Sequence, residues 1–185
     1  RFFSEDQMFY AEPNVFQVFD IPLQSGNPAS ALNEPYTLLL NETTAQKYFG
    51  EADPINQILR FSGRFDLKVT GVFRDFPYNS HFHPAMLVSF STLNDTLVYG
   101  AERLRTNWGN NSFSTFAVLP ENYPVEKLEN QFPAFVDKHM QGVAMSANAP
   151  KPSTWTSLHL EPLTDIHLKS HLDSEIEENG DIRRV

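Results

Sequence analysis

The sequence predicts an α+β fold in two lobes, and three observations carry that reading. Tyr36 to Phe82 reads without interruption as strand, short helix, Asp-Pro turn and hairpin. Phe113 to Leu163 reads as strand, helix, strand, the pattern of a split βαβ unit with its helix laid on a small sheet. At 185 residues the chain is long enough for one core or for two small lobes. A β-rich block from about Val15 to Phe76 makes one lobe, and the strand-helix-strand unit belongs to the other.

Arg1 to Tyr10 is aromatic-rich, with Phe3, Met8 and Tyr10 and no helical period, and reads as a strand broken by Glu12-Pro13-Asn14. Val15 to Phe19 leads into Asp20-Ile21-Pro22-Leu23. Gln24 to Pro35 is a polar loop, because Gly26, Pro28 and Pro35 oppose regular structure. The apolar run Tyr36, Leu38, Leu39, Leu40 suits a buried strand. Asn41 and Thr43 then offer side-chain oxygens to cap a helix, and Thr43 with Gln46 fits a capping box. The helix Thr44 to Phe49 stops at Gly50, which accepts a left-handed backbone. Asp53-Pro54 turns the chain. Strands follow at Gln57 to Phe61 and Phe65 to Phe73, joined by a tight Ser62-Gly63-Arg64 hairpin, with Phe65, Leu67, Val69 and Phe73 expected on one face. Pro77 to Ser80 is a turn.

Ala85 to Phe90 is a strand, and Ser91-Thr92 starts a helical or irregular segment through Tyr99. Trp108 to Asn111 is a loop, and Phe113 to Leu119 a strand. Pro124 suits the first position of a helix in which Val125, Leu128, Phe132, Phe135, Val136 and Met140 recur at spacings of three and four. Pro133 should kink it, since it removes a backbone donor and crowds the preceding turn. Gly142 ends it, Val143 to Thr154 is a linker, and Trp155 to Leu163 is a final alternating strand. Phe113, Phe116, Phe132 and Phe135 are expected to form core between helix and strand.

The net charge of −9, with the 14 Lys and Arg scattered, disfavours nucleic acid, whose phosphates demand clustered cations. It equally disfavours a clamp on anionic lipid headgroups. Zero cysteines suits an oxidising compartment without requiring one. There is no run of about eighteen apolar residues, and Asn41, Asn94 and Asn110 begin sequons of a kind that arises readily by chance.

No constellation of catalytic type stands out, and no catalytic, cofactor-binding or metal residue is assigned. His81 and His83 would point to one side of a strand, but no Cys joins them and Pro84 follows. His167 and His171 are four apart without the Glu of a zinc-protease helix. There is no Gly-x-Ser-x-Gly elbow and no phosphate loop. The pairs Glu51 with Asp53 and Asp173 with Glu175 lie in polar, turn-rich segments that favour solvated carboxylates. Asp173, Glu175, Glu177, Glu178 and Asp181 read as an exposed acidic tail. Tyr78, Phe82, Tyr99 and Trp108 lie in loops, where apolar rings gain little from folding, and are the candidate partner contacts.

The string LNETTAQKYFGEADPINQILRF followed by LKVTGVFRDFPYNSHF resembles the central signature of the MacB-like periplasmic core domain, the extracytoplasmic part of ABC-transporter permeases of the MacB, FtsX and LolC/LolE type. The likeness extends through NVFQVFDIPLQSG upstream and through FAVLPENYPVEKLENQFPAFVDKHM and LEPLTDIHL downstream. It implies a Porter-like α/β lobe, residues 1–13 and 77–185, interrupted by a Sabre-like β-rich lobe, residues 14–76. It also implies that the chain is cut at both ends from a longer permease and omits the family's first strand and helix. Asn79-Ser80-His81 and Asp165-Ile166-His167 would be turn motifs, and the acidic tail a tether to the membrane. The implied function is transmission of ATP-driven conformational change to a periplasmic substrate or partner, in efflux or in lipoprotein or peptide export, at the periplasmic face of the bacterial inner membrane. The implied partners are the protein's own transmembrane helices, a cytoplasmic ATPase subunit, a second permease copy and a periplasmic adaptor or exported substrate, with no cofactor. The alternative is a free-standing secreted carbohydrate- or peptide-binding module that uses its exposed aromatics as stacking platforms.

Overall fold

The leucine run after Tyr36 becomes the middle strand of a six-stranded mixed sheet in the computed structural model, which describes residues 5–143, 149–170, 175–177 and 180. The strands are β1 (Met8–Ala11), β2 (Leu23–Gly26), β3 (Thr37–Asn41), β4 (Ile58–Phe61), β5 (Phe65–Phe73) and β6 (Met86–Ser89). Their order is β1-β6-β3-β5-β2, with β4 sharing with β2 the outer edge of the long β5. β1 runs parallel to β6 and β3 parallel to β5, while the other pairs are antiparallel.

Both faces of this sheet are covered, which is why its centre is apolar without interruption rather than alternating. On one face Leu38, Leu40, Phe65, Leu67, Val69, Met86 and Val88 pack with Ala45 of helix α2 (Glu42–Phe49), which follows the single-turn helix α1 (Val15–Val18) in the chain. On the other, Leu39, Phe73 and Leu87 pack with Ile21, Ala31 and Leu32. Leu38, Leu39 and Leu40 are fully buried, each worth roughly 1.5–3 kcal/mol of transfer free energy. Strict alternation puts Phe73 on the face of Phe65, Leu67 and Val69, but it lies on the opposite one. The pairing of β3 with β5 skips a residue between Leu38 and Leu39, and such a slip exchanges the faces of everything beyond it. Gly71 sits at this irregularity, where a Cβ would come within 2.7 Å of Leu39 Cδ2 and 2.8 Å of the Ser25 carbonyl oxygen.

Around the sheet most local signals act as the sequence predicts. Asn41 caps α2, its Oδ1 accepting from Thr44 N at 2.8 Å. The capping box does not form, because Thr43 Oγ1 donates to Asp75 instead. Gly50 closes the helix at φ 60°. Asp53 Oδ1 accepts from Ile55 N at 2.9 Å in the Asp-Pro turn, and Ser62 and Gly63 take positive φ in the hairpin. The segment expected to be a polar loop from Gln24 to Pro35 differs. It contains most of β2, and it tucks Ala31 and Leu32 into the second face, held there by Thr70 Oγ1 donating to Ala31 O and Ser89 Oγ donating to Leu32 O, each at 2.7 Å.

The chain divides into two compact units, Arg1–Leu104 and Arg105–Val185, and passes between them within helix α3 (Ala101–Thr106). Residues 13/14 and 76/77 both lie inside the first unit, where β1 and β6 pair in one sheet with strands from residues 14–76. The second unit has no strand among its described residues. The strands expected at Phe113 to Leu119 and Trp155 to Leu163 do not form: strand-like patterning makes a strand only when a partner edge is present to complete its hydrogen bonds, and Leu163 instead opens a helix. The long helix expected from Val125 is two helices, α4 (Val125–Glu129) and α5 (Phe132–Met140), separated at Asn130-Gln131. Pro133 therefore does not kink a continuous helix; it occupies the first turn of α5, where its missing N–H costs nothing. Only Val136 of this helix is buried, and Phe113 and Phe135 are more than two-fifths exposed, so the expected aromatic core of Phe113, Phe116, Phe132 and Phe135 does not form. α5 packs on the turn Pro152–Thr154, and Asp137 Oδ1 accepts from Ser153 N at 2.9 Å, which draws the Asp137 carboxyl below its usual range. Leu163–Lys169 is a helix, α6, braced by an Asp165–Lys169 ion pair at 2.7 Å. Among the described residues no helix is long and apolar enough to cross a membrane.

Candidate functional site

Three of the four candidate contact residues, Tyr78, Phe82 and Tyr99, lie in the first unit, and Trp108 lies in the second. Tyr78, in the turn after β5, is 93% exposed and stands furthest into solvent of the large apolar and aromatic side chains among the described residues. Phe82, in the loop before β6, faces inward. Its ring meets Phe9 edge-on at 4.8 Å and Phe76 at 5.7 Å and, partly buried, extends the second face of the core. Tyr99 is half-buried, with the Arg103 guanidinium 4.6 Å above its ring. Trp108 belongs to the second unit, where it stacks on His139 at 4.3 Å and meets Phe135 edge-on at 5.5 Å.

Of the histidines and carboxylates weighed in the sequence, His83 and Asp53 make hydrogen bonds within turns. His83 Nε2 lies 3.0 Å from the Pro77 carbonyl oxygen, across the turn that carries Tyr78. His167 lies on α6, while His171 falls outside the described residues. Glu51 accepts from Gln46 Nε2 at 3.4 Å, and Asp53 is occupied by the Asp-Pro turn. Glu175 accepts from Ser170 Oγ, and its expected partner Asp173, with Glu178 and Asp181 of the acidic tail, lies outside the described residues. Among the described residues no three of His, Cys, Asp and Glu gather where a metal ion would need them.

An open polar cleft of about 740 Å³ lies between the start of α2 and the end of β5, lined by Gln24, Glu42, Thr43, Gln46, Asp53 and Asp75. Its carboxylates bind the protein's own donors. Asp75 accepts from Thr43 N at 3.3 Å and from Thr43 Oγ1, and Glu42 accepts from Gln24 Nε2 and from Asp75 N at 3.4 Å. The arrangement staples the N-terminus of α2 to β2 and to the exit of β5. Carboxylates in the first turn also complement the helix dipole. Glu42 and Asp75 are thus engaged in holding elements together. Thr43 and Asp75 stand 32 positions apart, so no local spacing in the sequence reports their pairing.

Comparison with known proteins identifies the class. The chain matches the model of the MacB-like periplasmic core domain over residues 2–135 and belongs to that family, the extracytoplasmic domains of MacB-like ABC-transporter permeases. The match spans the whole sheet and runs beyond the division at Leu104 into α5. A solved domain provisionally assigned to a permease protein of Porphyromonas gingivalis is 25% identical with a TM-score of 0.54, covering 71% of this chain and 59% of that one. The periplasmic region of MacB from Actinobacillus actinomycetemcomitans is 18% identical (TM-score 0.37, 48% of this chain and 40% of that one). The extracellular domain of the noncanonic ABC-type transporter YknZ from Gram-positive bacteria is also 18% identical (TM-score 0.36, 50% and 54%). The chain thus spans less than two thirds of each of these structures. No curated protein matches it significantly.

Proposed function

We propose that this chain works as a mechanical transmitter in an ABC permease: it moves with the transmembrane helices of its own protein when a cytoplasmic ATPase turns over, and presses that motion on an exported substrate or a periplasmic adaptor. The observation that carries this reading is the family match across the whole six-stranded sheet. The physical character of the first unit fits the role, since a sheet covered on both faces and interlocked by side chains resists local deformation and can be displaced as one body. A permease dimer would place two such bodies side by side. The alternative of a carbohydrate- or peptide-binding module draws its support from exposed aromatic rings, and Tyr78, Tyr99 and Trp108 offer no shared platform within the first unit.

Tyr78 is the position from which to test this. The chain has no cysteine, so Tyr78→Cys gives a unique label within it. In the full-length permease, spin labels at this position on the two copies should change separation between the nucleotide-free and ATP-analogue-bound states. A separation identical in both states contradicts the transmitting role. An impermeant maleimide that fails to reach the same cysteine from outside intact cells stripped of outer membrane contradicts the placement.

A further inference from the structure

Tyr36 enters β3 with φ 60°, a backbone region that a bulky residue holds only when its surroundings fix it there. Three hydrogen bonds do so. Its N–H donates to Thr92 Oγ1 at 2.8 Å, its carbonyl oxygen accepts from Lys68 N at 2.8 Å, and its hydroxyl donates to Asp95 Oδ2 at 2.6 Å. Thr92 is fully buried, and the Tyr36 ring packs on Phe65 at 5.6 Å. Asp95 Oδ1 accepts from Leu97 N at 2.8 Å, tightening its own loop. From the tip of the β4–β5 hairpin, Arg64 Nη2 donates to the Leu97 carbonyl oxygen at 2.7 Å.

The bonds to Thr92, Asp95 and Leu97 all land on one stretch, the 3₁₀ helix Phe90–Asn94 and the loop that follows it, which connects β6 to α3 and so leads to the crossing between the two units. Such a stretch is weak in isolation, because 3₁₀ turns have poor hydrogen-bond geometry and a loop has few bonds to lose. Here it is tied to the sheet at two separated places by side chains 59 and 33 positions away in sequence.

We propose that Tyr36, Thr92, Asp95 and Arg64 form a clamp that makes residues 90–100 part of the rigid sheet, so that a pull arriving through α3 is borne by the sheet instead of being absorbed by local opening. The use of the clamp rests on the transmitting role proposed above, while its mechanics do not. The phenol–carboxylate bond leaves its mark on both partners: it lowers the Asp95 carboxyl below its usual value and is the main reason the Tyr36 phenol is pushed up to about 12.

The test is a single-molecule pull on the whole chain with handles on cysteines introduced at the exposed positions Glu12 and Arg105. With the clamp intact, the stretch should yield in one rupture together with the sheet. Tyr36→Phe combined with Arg64→Ala should add an earlier, weaker event that lengthens the chain by up to about 5 nm, the reach of some 15 residues. Arg64→Ala alone, an exposed change that leaves the core intact, should lower the first rupture force without abolishing folding. A double variant that ruptures once, at the original force, overturns the clamp, as does an early event already present with the clamp intact. If the early event appears in the variant while the full-length permease still shows its nucleotide-driven change at residue 78, the clamp is real but does not serve transmission.

Discussion

The two units bury their apolar side chains to very different degrees. Among the described residues, every buried apolar side chain except Val136 and Pro152 lies before Leu104, whereas Trp108, Phe113, Val118, Val125, Phe135, Trp155, Leu158 and Leu163 are exposed large hydrophobics of the second unit. The first unit gains most of its stability from non-local pairing of strands that share two covered faces. The second consists of short helices and turns pinned by single hydrogen bonds, such as Ser153 to Asp137 and Leu160 to Glu129. Hydrophobic content alone therefore does not set stability, because transfer free energy is gained only when surface leaves water.

Phe73 is where the contrast should be largest. This ring is fully buried between the sheet and the 76–82 segment, and Phe73→Ala should cost on the order of 3–5 kcal/mol by urea unfolding, while Phe135→Ala in the second unit should cost under about 1 kcal/mol. Comparable losses at the two positions would erase the contrast. Gly71→Ala comes next: its Cβ would press on the Ser25 carbonyl and on Leu39, an overpacking worth about 1–3 kcal/mol, with retained stability showing that β2 can move away. Asn41→Ala removes the α2 cap and should cost about 1 kcal/mol, restored in large part by Asn41→Asp.

Alkaline titration sharpens the contrast further. The Tyr36 phenol is raised from 10.0 to about 12 in the folded protein, chiefly by its bond to Asp95, so the folded state holds its proton more tightly. The stabilisation this gives is complete below pH 10 and is lost as the pH rises towards 12. Amides of residues 92–100 should lose protection over that interval, and Tyr36→Phe should remove this pH dependence. Tyr48, also raised to about 12, mainly by burial, will titrate in the same range but lies on α2, so its effect is separated by position in the chain. Asp95 gives the opposite edge: its lowered carboxyl contributes stability above the ordinary value of 3.8, lost as the pH falls through the lower folded value.

Much of the first unit was legible because its signals are local. Asn41, Gly50, Asp53-Pro54 and Ser62-Gly63 each fix the backbone through their own side chain or lack of one, and the strands between them follow by alternation. Where the outcome depended on distant residues the sequence was silent or misleading. Phe82 reads as a loop aromatic until Phe9, Phe19 and Phe76 surround it. Phe113 to Leu119 reads as a strand because its aromatic and branched residues describe what a segment would do beside a partner, without saying whether one exists. The α6 helix did carry a local signal, Pro162 ahead of Asp165 and Lys169 four apart, which the apparent alternation of Trp155 to Leu163 obscured. The staple of Glu42 and Asp75 and the bond of Tyr36 to Asp95 join positions more than thirty apart and have no sequence signature.

Amide hydrogen exchange on the whole chain tests most directly the claim that the first unit is a self-sufficient rigid body and the second is not. Amides of β3, β5 and β6 should exchange only through global unfolding, and residues 117–119 and 157–159 should exchange close to the rate of an open chain. Protection of residues 113–119 at the level of β3 would contradict it, since those amides would then have a partner edge and the second unit a sheet of its own.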